Sequence, residues 1–335
     1  MRIGVLGAGT WGMALARMLA NDEYDVTVWS AIESEIDELD KNRTHKNLPG
    51  MVIPQSIVFT KDVEEVCKDK QILLFAVPSV YVRSTAQKAA PYIPDGQVIV
   101  DVAKGIEPDT LFTMSQVIGD VLNDGKHDHV KIVALSGPTH AEEVAKDMPT
   151  TIVSACKDEE AAKMVQDVFM NTCMRVYTND DVLGIELCGA LKNIIALASG
   201  ISTGLGNGDN AKAAIITRGM VEMTRLGLAM GAKQETFTGL AGVGDLIVTA
   251  TSMHSRNNRC GMLIGQGVDP KEAVKQVGMV VEGVNALPAA MRLMKKYDVE
   301  MPICTAVNAV VNGDIDPKSA VAALMSRDKK HEMNF

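Results

Sequence analysis

A glycine-rich turn near the start of the chain constrains the fold more than any other sequence feature. The sequence RIGVLGAGTWGMALA begins with a short apolar run, turns through Gly7, Gly9 and Gly12, and continues with apolar residues at helical spacing. Glycine permits the tight bend and the close approach of backbone to a pyrophosphate, and the next helix directs its N-terminal N–H groups at that anion. Because the turn follows a strand pattern and opens a helix, it predicts a dinucleotide site rather than a purely structural turn.

Short apolar strand patterns alternate with helical patterns through the first half of the chain. Further strand patterns occur at YDVTVWS, ILLFAVP, QVIVDVAKG, KIVALSG and TTIVSA, with helical patterns such as IESEIDELDKN, VYVRSTAQKAAPYI and AAKMVQDVFM between them. Continuous apolar strands separated by helices are typical of a mainly parallel sheet covered on both faces. We therefore predict a doubly wound α/β domain with its ligand crevice at the carboxyl ends of the strands.

The second half reads as helical. After about Tyr177 the strand patterns cease and longer helical segments follow, among them GIELCGALKNIIALASGI and NAKAAIITRGMVEMTRLGLAM. A chain of 335 residues is long enough for two domains. We predict a dinucleotide-binding domain over residues 1–186 and an all-helical substrate and catalytic domain over residues 187–335.

Composition excludes several classes of partner. The formal net charge of −9 disfavours nonspecific binding to nucleic acid or anionic lipid, which needs a basic surface. The six cysteines form no C-x-x-C pair or other metal spacing. They indicate reduced thiols of a cytoplasmic protein without a metal site. Met1 leads directly into a strand pattern rather than a secretory signal, and we expect no apolar run long enough for stable membrane insertion.

A single charge, Lys192, interrupts the apolar stretch between Leu187 and Ala198. No acidic residue lies three or four positions away, so the lysine is not half of an ordinary ion pair on a helix surface. The local pattern by itself favours a lysine whose stem covers apolar surface while its ammonium reaches water. The alternative is a lysine that lines a cleft, and only the rest of the chain can support it.

Three strand ends in the first half carry residues suited to the crevice. Pro78 follows ILLFAV and cannot continue a central ladder, so it marks a turn over the cofactor. Lys104 follows VIVDVA, either as a solvated charge or as a cation beside cofactor and substrate. Gly137 ends another strand, and Thr139 with Glu142 has the spacing of a capping box at a helix start. The exposed N–H groups of that turn could also hold an anionic substrate.

The segment GLAGVGDLIVTATSMHSRNNRCG is the unusual part of the second half. Asp245 has the position of an N-cap for the helix LIVTAT, and Thr249 lies one turn further along. The sequence SRNNR then predicts a loop that clusters Ser255, Arg256, Asn257, Asn258 and Arg259. Arginine supplies a planar fork and asparagine a neutral donor, which together are the groups that phosphate recognition requires. A loop with two arginines is also common on surfaces.

The end of the second strand pattern leaves the choice of cofactor open. Ser30 and Ala31 occupy the positions where an acid would indicate NAD and an arginine would indicate NADP. Glu33 is the nearest acid, and it is equally well explained as an exposed residue in the first turn of a helix. We therefore expect NAD or NADP.

Several of these motifs together resemble a known family. The blocks GAGTWGMALA, VDVAKGIE, SGPTHAEEVA, ELCGALKNIIALASGI, GLAGVGDLIVTATS with SRNNRCG, and VVEGV occur in the order found in bacterial-type NAD(P)-dependent glycerol-3-phosphate dehydrogenases. The resemblance covers nearly the whole chain. It implies a Rossmann-type domain followed by a helical domain like that of 6-phosphogluconate dehydrogenase. It also implies a cytosolic, homodimeric enzyme that interconverts dihydroxyacetone phosphate and sn-glycerol 3-phosphate for phospholipid synthesis.

The resemblance also implies roles for individual residues. Lys192 matches the catalytic proton donor and acceptor, and Lys104 matches a contact to both cofactor and substrate. The substrate positions are Gly137, Thr139, Asp245, Ser255, Arg256 and Asn257. The cofactor positions are Thr10, Trp11, Ala141, Glu282 and the shared Arg256, to which we add Gly7, Gly9, Gly12, Ser30, Pro78 and Val280. Asn193 and Thr249 complete the expected catalytic group, with Asn193 and Lys104 suited to stabilising negative charge on the substrate oxygen.

Two alternatives to this function remain at the level of sequence. One is another dehydrogenase of the same two-domain plan, acting on a hydroxyacid or a hydroxyacyl thioester, for which Arg256 and Asn257 would not be required. The other is a noncatalytic redox sensor that binds a dinucleotide. A sensor would need the glycine turn but not Lys192, Lys104 and Asp245 together.

Many family members carry arginine or histidine after the second-strand aromatic residue, whereas this chain has WSAIE, so both cofactors stay open.

Overall fold

The computed structural model describes residues 1–170, 173–329 and 331–332. Contacts divide the chain into two compact units. The first comprises Met1–Lys104 and Phe112–Val182, and the second comprises Gly105–Leu111 and Leu183–Phe335. The boundary predicted between residues 186 and 187 falls inside a continuous helix, Val182–Gly204.

The first unit contains the strands. They are β1 Arg2–Leu6, β2 Asp25–Trp29, β3 Thr44–His45, β4 Leu48–Val52, β5 Val58–Thr60, β6 Ile72–Phe75, β7 Val98–Asp101, β8 Lys131–Ser136, β9 Thr150–Ala155 and β10 Met174–Asn179. Its helices are α1 Thr10–Asn21, α2 Glu33–Asn42, α3 Val63–Cys67, α4 Val82–Ala89, α5 Met114–Val121, α6 Ala141–Val144 and α7 Glu159–Phe169. A 3-10 turn, Ser79–Tyr81, precedes α4.

A single large sheet organises this unit, with the strand order β10-β9-β8-β7-β6-β1-β2-β5 among the described residues. Its pairs are parallel except for β8 with β9. The core strands are buried continuous apolar runs, because helices cover both faces. The order reverses between β1 and β6, so the crevice that binds ligands in such sheets lies at their carboxyl ends. The predicted doubly wound, mainly parallel domain is confirmed.

The second unit is helical, as predicted. It contains α8 Val182–Gly204, α9 Asp209–Met230, α10 Gln234–Thr238, a π-helical turn Leu240–Gly244, α11 Asp245–Thr251, α12 Arg256–Gly265, α13 Pro270–Val277, α14 Glu282–Tyr297, α15 Pro302–Asn312 and α16 Pro317–Met325. The segment Gly105–Leu111 packs with these helices although its neighbours in sequence belong to the first unit. Arg292 of α14 anchors it by donating hydrogen bonds to the carbonyls of Pro108 and, at 3.3 Å, Asp109.

The helix α8 corrects one expectation. It is long and apolar enough to cross a membrane by length and composition, so the statement that no apolar run reaches that length is wrong. In its most apolar window, 89% of the residues are buried inside the fold. A helix that is apolar all round and covered by other helices is a core helix, which explains the composition.

Backbone contact between α8 and α12 shapes the second unit. Both helices carry a G-x-x-x-G pair on the facing side, Gly200 with Gly204 and Gly261 with Gly265. A Cβ atom added at any of these glycines would collide with a carbonyl oxygen of the opposite helix. The carbonyls are those of Asn258, Met262, Leu197 and Ile201. The missing side chains therefore let the two backbones touch.

This contact predicts a large effect of one methyl group. Gly261→Ala should lower the free energy of unfolding by about 2 kcal/mol, because backbone atoms of two packed helices must separate to admit the Cβ. Urea unfolding followed by circular dichroism measures the change. The matched control is Gly119→Ala in α5, where the added Cβ would lie 3.6 Å from the Ile132 side chain, an ordinary contact. That variant should be neutral or more stable, since alanine is the better helix former. An unchanged midpoint for Gly261→Ala would contradict the packing argument.

Candidate active site

The glycine turn of the first unit has the geometry that close approach to a dinucleotide requires. Gly7 has φ +117°, and a Cβ there would lie 2.7 Å from the Ala76 carbonyl oxygen. A Cβ at Gly12 would collide with the Gly7 carbonyl. At Gly9, which caps α1, no described heavy atom lies within 4 Å of an added Cβ. Two glycines are therefore required by the protein backbone, and the third faces open space where a ligand can approach.

Two buried hydroxyl groups of the first unit lack partners among the described residues. The Oγ1 atom of Thr10, at the first position of α1, and the Oγ atom of Ser136, at the end of β8, have no hydrogen-bond partner within the described residues. Buried polar atoms are almost always hydrogen-bonded, so an orphan at a helix start is suited to bind a ligand there. Together with the N–H groups of α1, Thr10 fits the pyrophosphate of a dinucleotide. Trp11 follows it on the helix, half-buried.

A second cluster in the first unit brings together three predicted substrate residues. Lys104 lies three residues after β7 and donates from Nζ to the Gly137 carbonyl at 3.0 Å and to Thr139 Oγ1 at 3.4 Å. Thr139 Oγ1 in turn donates to the Gly137 carbonyl at 3.1 Å. The lysine is therefore bound to the neighbouring strand's loop rather than solvated alone.

The helix after this cluster begins later than predicted. α6 starts at Ala141, with His140 at the N-cap, so the capping box of Thr139 and Glu142 is wrong. The hydroxyl of Thr139 donates to the Gly137 carbonyl instead.

Two further predicted cofactor residues also lie at carboxyl ends of strands. Ser30 directly follows β2, and Pro78 lies at the 3-10 turn after β6.

In the second unit, Lys192 is buried and bound to side chains distant in sequence. The lysine, in the middle of α8, is 5% exposed. Its Nζ donates to Asp245 Oδ1 and, at 2.7 Å, to Thr249 Oγ1. Both acceptors come from α11, and the Thr249 hydroxyl itself donates to the Asp245 carbonyl at 2.6 Å. The local prediction of a lysine reaching bulk water is therefore wrong, and Lys192, Asp245 and Thr249 form one buried group.

The π-helical turn explains why Asp245 is available to the lysine. Residues Leu240–Gly244 run directly into α11, so the N-cap is Gly244 and Asp245 is already the first helical residue. The predicted N-cap role of Asp245 is thus wrong. Its side chain contacts Lys192 of α8 across the helix packing.

Two further side chains hold α11 in place. Ser199 of α8 donates to the Ala250 carbonyl at 2.9 Å, and Asn258 of α12 donates to the same oxygen at 2.8 Å. A carbonyl oxygen has two lone pairs, so it accepts both bonds. The helix that carries Asp245 and Thr249 is thereby tied to both neighbours. Ser199 lies two helical turns after Lys192 in an otherwise apolar sequence, and neither Ser199 nor Asn258 is among the predicted site residues.

An asparagine pair extends the group toward α14. Asn193 donates from Nδ2 to the Gly189 carbonyl at 3.0 Å, and its Oδ1 accepts a bond of 2.9 Å from Asn257. The Oδ1 of Asn257 accepts the N–H of Gly283 at 2.8 Å. Gly283 follows Glu282, the first residue of α14, and Val280 lies just before that helix. The structure thus joins Asn193 and Asn257 to the helix start that carries Glu282.

The predicted SRNNR loop is wrong, because these residues form the first turn of α12. Ser255 is the N-cap, and its hydroxyl accepts the Asn258 N–H at 3.2 Å. Arg256 is half-buried at the first helical position, whereas Arg259 is exposed. A helix N-terminus adds N–H groups and a positive dipole end to the arginine, which strengthens its suitability for a phosphate.

The buried ion pair predicts a specific pattern of stability. Lys192→Met leaves Asp245 buried without its cation, so the free energy of unfolding should fall by about 3 kcal/mol. Adding Asp245→Asn in the same chain removes the uncompensated charge and should recover most of that loss. Urea unfolding of both variants measures the difference. A double variant no more stable than Lys192→Met would contradict the charge argument.

Comparisons with known proteins agree on one family. A model of the N-terminal part of NAD-dependent glycerol-3-phosphate dehydrogenase matches residues 2–162, and a model of its C-terminal part matches residues 181–322. The chain is 68% identical over 333 residues to an NAD(P)⁺ glycerol-3-phosphate dehydrogenase of Lactobacillus delbrueckii subsp. bulgaricus, with 99% of each chain covered. It is 52% identical over 332 residues to one of Agathobacter rectalis, covering 99% of this chain and 97% of the relative.

A solved structure extends the likeness to three dimensions. The crystal structure of glycerol-3-phosphate dehydrogenase from Coxiella burnetii matches with a TM-score of 0.93 at 37% identity, covering 97% of this chain and 99% of that one. The chain belongs to the NAD(P)-dependent glycerol-3-phosphate dehydrogenase family.

Proposed function

We propose that Lys192 is the proton donor and acceptor of this enzyme. The reaction is the NAD(P)-dependent interconversion of dihydroxyacetone phosphate and sn-glycerol 3-phosphate. The observation that carries the proposal is the burial of Lys192 with its amine bound to Asp245 and Thr249. Because the partners of this buried lysine are fixed, its amine points in one direction and its protonation depends on those partners. An acid-base group requires both.

The reduction needs a hydride at the carbonyl carbon and a proton at the carbonyl oxygen. When bound, NAD(P)H supplies the hydride. Lys192 gives its proton to the oxygen as the carbonyl bond becomes a C–O single bond, and in the oxidation it takes that proton back. The carboxylate of Asp245 favours the charged ammonium, which is the form that donates. Thr249 accepts a second bond and so fixes the direction of the amine.

Asn193 is suited to stabilise negative charge on the reacting oxygen. Its carboxamide nitrogen carries two N–H donors, of which one is directed at the Gly189 carbonyl. Because Asn257 holds the Oδ1 atom, the amide cannot flip without losing a bond. A fixed donor beside a developing oxyanion costs no reorganisation during the reaction.

The phosphate of the substrate is the proposed ligand of Arg256, with Ser255 and Asn257 at the same helix start. Binding there orients the reacting carbon and converts an encounter into a positioned step. Lys104, Gly137 and Thr139 are proposed as substrate contacts of the first unit. For the cofactor we propose Gly7, Gly9, Thr10, Trp11, Gly12, Ser30, Pro78, Lys104, Ala141, Arg256, Val280 and Glu282.

This assignment replaces the two alternatives considered from sequence. Both family models describe glycerol-3-phosphate dehydrogenase, and together they cover both units. A hydroxyacid or hydroxyacyl thioester dehydrogenase would not need the arginine at the start of α12. A noncatalytic sensor would not need a buried lysine with an acid and a hydroxyl around it.

We also propose that the enzyme acts in the cytoplasm as a homodimer and supplies sn-glycerol 3-phosphate for phospholipid synthesis. Support comes from the family and from the cysteines, which form no disulfide among the described residues: Cys67, Cys156, Cys173, Cys188, Cys260 and Cys304. Free thiols are typical of a reducing compartment. Sedimentation velocity measures the oligomeric state.

The acid-base role of Lys192 predicts a loss of turnover that is separate from folding. In Lys192→Met/Asp245→Asn, kcat for dihydroxyacetone phosphate should fall at least about a hundredfold, because no group delivers the proton. NADH affinity, measured by fluorescence, should stay within about threefold of the parent protein. Lys295→Met, which changes an exposed lysine of α14, is the control and should keep its full kcat. Near-normal turnover in the double variant would remove Lys192 from the chemistry.

The phosphate role of Arg256 predicts a selective loss for phosphorylated substrate. Arg256→Ala should lower kcat/KM for dihydroxyacetone phosphate by about tenfold to a hundredfold, the worth of a charged hydrogen bond. At saturating NADH, so that any loss of cofactor contact does not limit the rate, the rate with dihydroxyacetone, which has no phosphate, should change little. Arg259→Ala removes an exposed arginine one turn further along α12 and should leave both rates unchanged. Equal losses with the two substrates would overturn the assignment.

A further inference from the structure

A carboxylate is held at the carboxyl end of β2. Ser30, 7% exposed, directly follows the last strand residue, Trp29. Its hydroxyl donates to Glu35 Oε2 at 2.7 Å and accepts the N–H of Ile32 at 3.2 Å. Glu35 belongs to the first turn of α2 and is half-buried. Its carboxylate therefore lies at the strand end instead of extending into solvent.

This strand end is joined to the glycine turn. The N–H of Gly7 donates to the Trp29 carbonyl at 2.8 Å, and Leu6 pairs with Trp29 in the parallel ladder. In doubly wound dinucleotide domains, the group at the end of the second strand faces the adenosine ribose. An acid there accepts a ribose hydroxyl, whereas an arginine accommodates a 2′-phosphate. In this chain the strand end itself carries a serine, and the acid comes from the following helix.

Two cations on elements next to β2, Lys61 after β5 and Arg43 at the end of α2, are engaged with other partners. Lys61 pairs with Asp37 at 2.8 Å and with Glu33 at 3.7 Å. Arg43 donates to Asp40 and, at 2.8 Å, to the Ile57 carbonyl. These bonds direct both positive groups at protein oxygens.

His45 also lies close to the turn without supplying a positive charge. Burial lowers the pKa of His45 below its usual value, while Glu35 acts in the opposite direction. The imidazole is therefore neutral at pH 7, and its Nδ1 accepts the Asn47 N–H at 3.2 Å. Lys46, next in sequence, is exposed. The fixed charge nearest to Ser30 in this arrangement is the carboxylate of Glu35.

We infer that Glu35, oriented by Ser30, selects NADH over NADPH. The inference rests on the dinucleotide site proposed above. A carboxylate has acceptor capacity on both oxygens, so Glu35 can receive the Ser30 hydroxyl and a ribose hydroxyl together. The same carboxylate repels a 2′-phosphate, because like charges placed side by side in a binding site are unfavourable.

Direct binding tests this inference without relying on turnover. The dissociation constants of NADH and NADPH are measured by fluorescence titration at constant ionic strength. Those of 5′-AMP and adenosine 2′,5′-bisphosphate are measured by calorimetry. The parent protein should bind NADH at least about tenfold more tightly than NADPH, with the same order for the two fragments. Glu35→Gln keeps the shape and a hydrogen bond to Ser30, and it should reduce that ratio about tenfold.

Two more variants separate the local effect from general charge. Glu38→Gln removes one negative charge from the same helix at an exposed position, and its ratio should stay within about twofold of the parent. Ser30→Ala releases Glu35 and should give an intermediate ratio. Equal affinity of the parent protein for NADH and NADPH, or equal ratios in Glu35→Gln and the parent, would overturn the inference. If the parent protein bound neither dinucleotide, the proposed cofactor site would fail, and the inference with it.

Discussion

Contact between the backbones of α8 and α12 is the constraint on which the second unit depends. The glycines at 200, 204, 261 and 265 let the helices approach until carbonyl oxygens touch the facing chain. Close-packed interiors of this kind do not deform continuously. One helix carries Lys192 and Asn193, and the other carries Arg256 and Asn257. The packing therefore fixes the proposed acid-base group and the proposed phosphate-binding residues relative to each other before a substrate arrives, which is the form of pre-organisation that positioning requires.

The fold was predictable where local patterns carry the information. Strands buried on both faces are continuous apolar runs, so β1, β6 and β7 were visible, and so was the glycine turn between β1 and α1. The strands β3 and β5 were missed because they have two and three residues, fewer than a period-two pattern needs. The edge strand β10 was missed because its buried and exposed residues alternate only briefly.

The site was less predictable, since its partners are distant in sequence. Helical spacing tests neighbours within one turn, whereas Lys192 and Asp245 are 53 positions apart. The π-helical turn before α11 has no simple sequence signature, so the sequence alone predicts an N-cap at Asp245. The motif order, and not the local pattern, indicated that these residues belong together. Glu35 was not predicted for a different reason, since its partner Ser30 is only five residues away. Glu35 lies on the polar face of a predicted helix, and nothing in that pattern distinguishes it from its acidic neighbours.

The segment Gly105–Leu111 has a consequence for the order in which the protein can fold during synthesis. Arg292, which binds the Pro108 carbonyl, follows it by 184 residues. At ribosomal speeds this separation corresponds to roughly ten to forty seconds. During that interval the strands on either side of the segment can assemble, while α14, which binds the segment, has not yet been synthesised. A nascent chain that stops before α14 therefore lacks Arg292, the side chain that binds this segment in the folded protein.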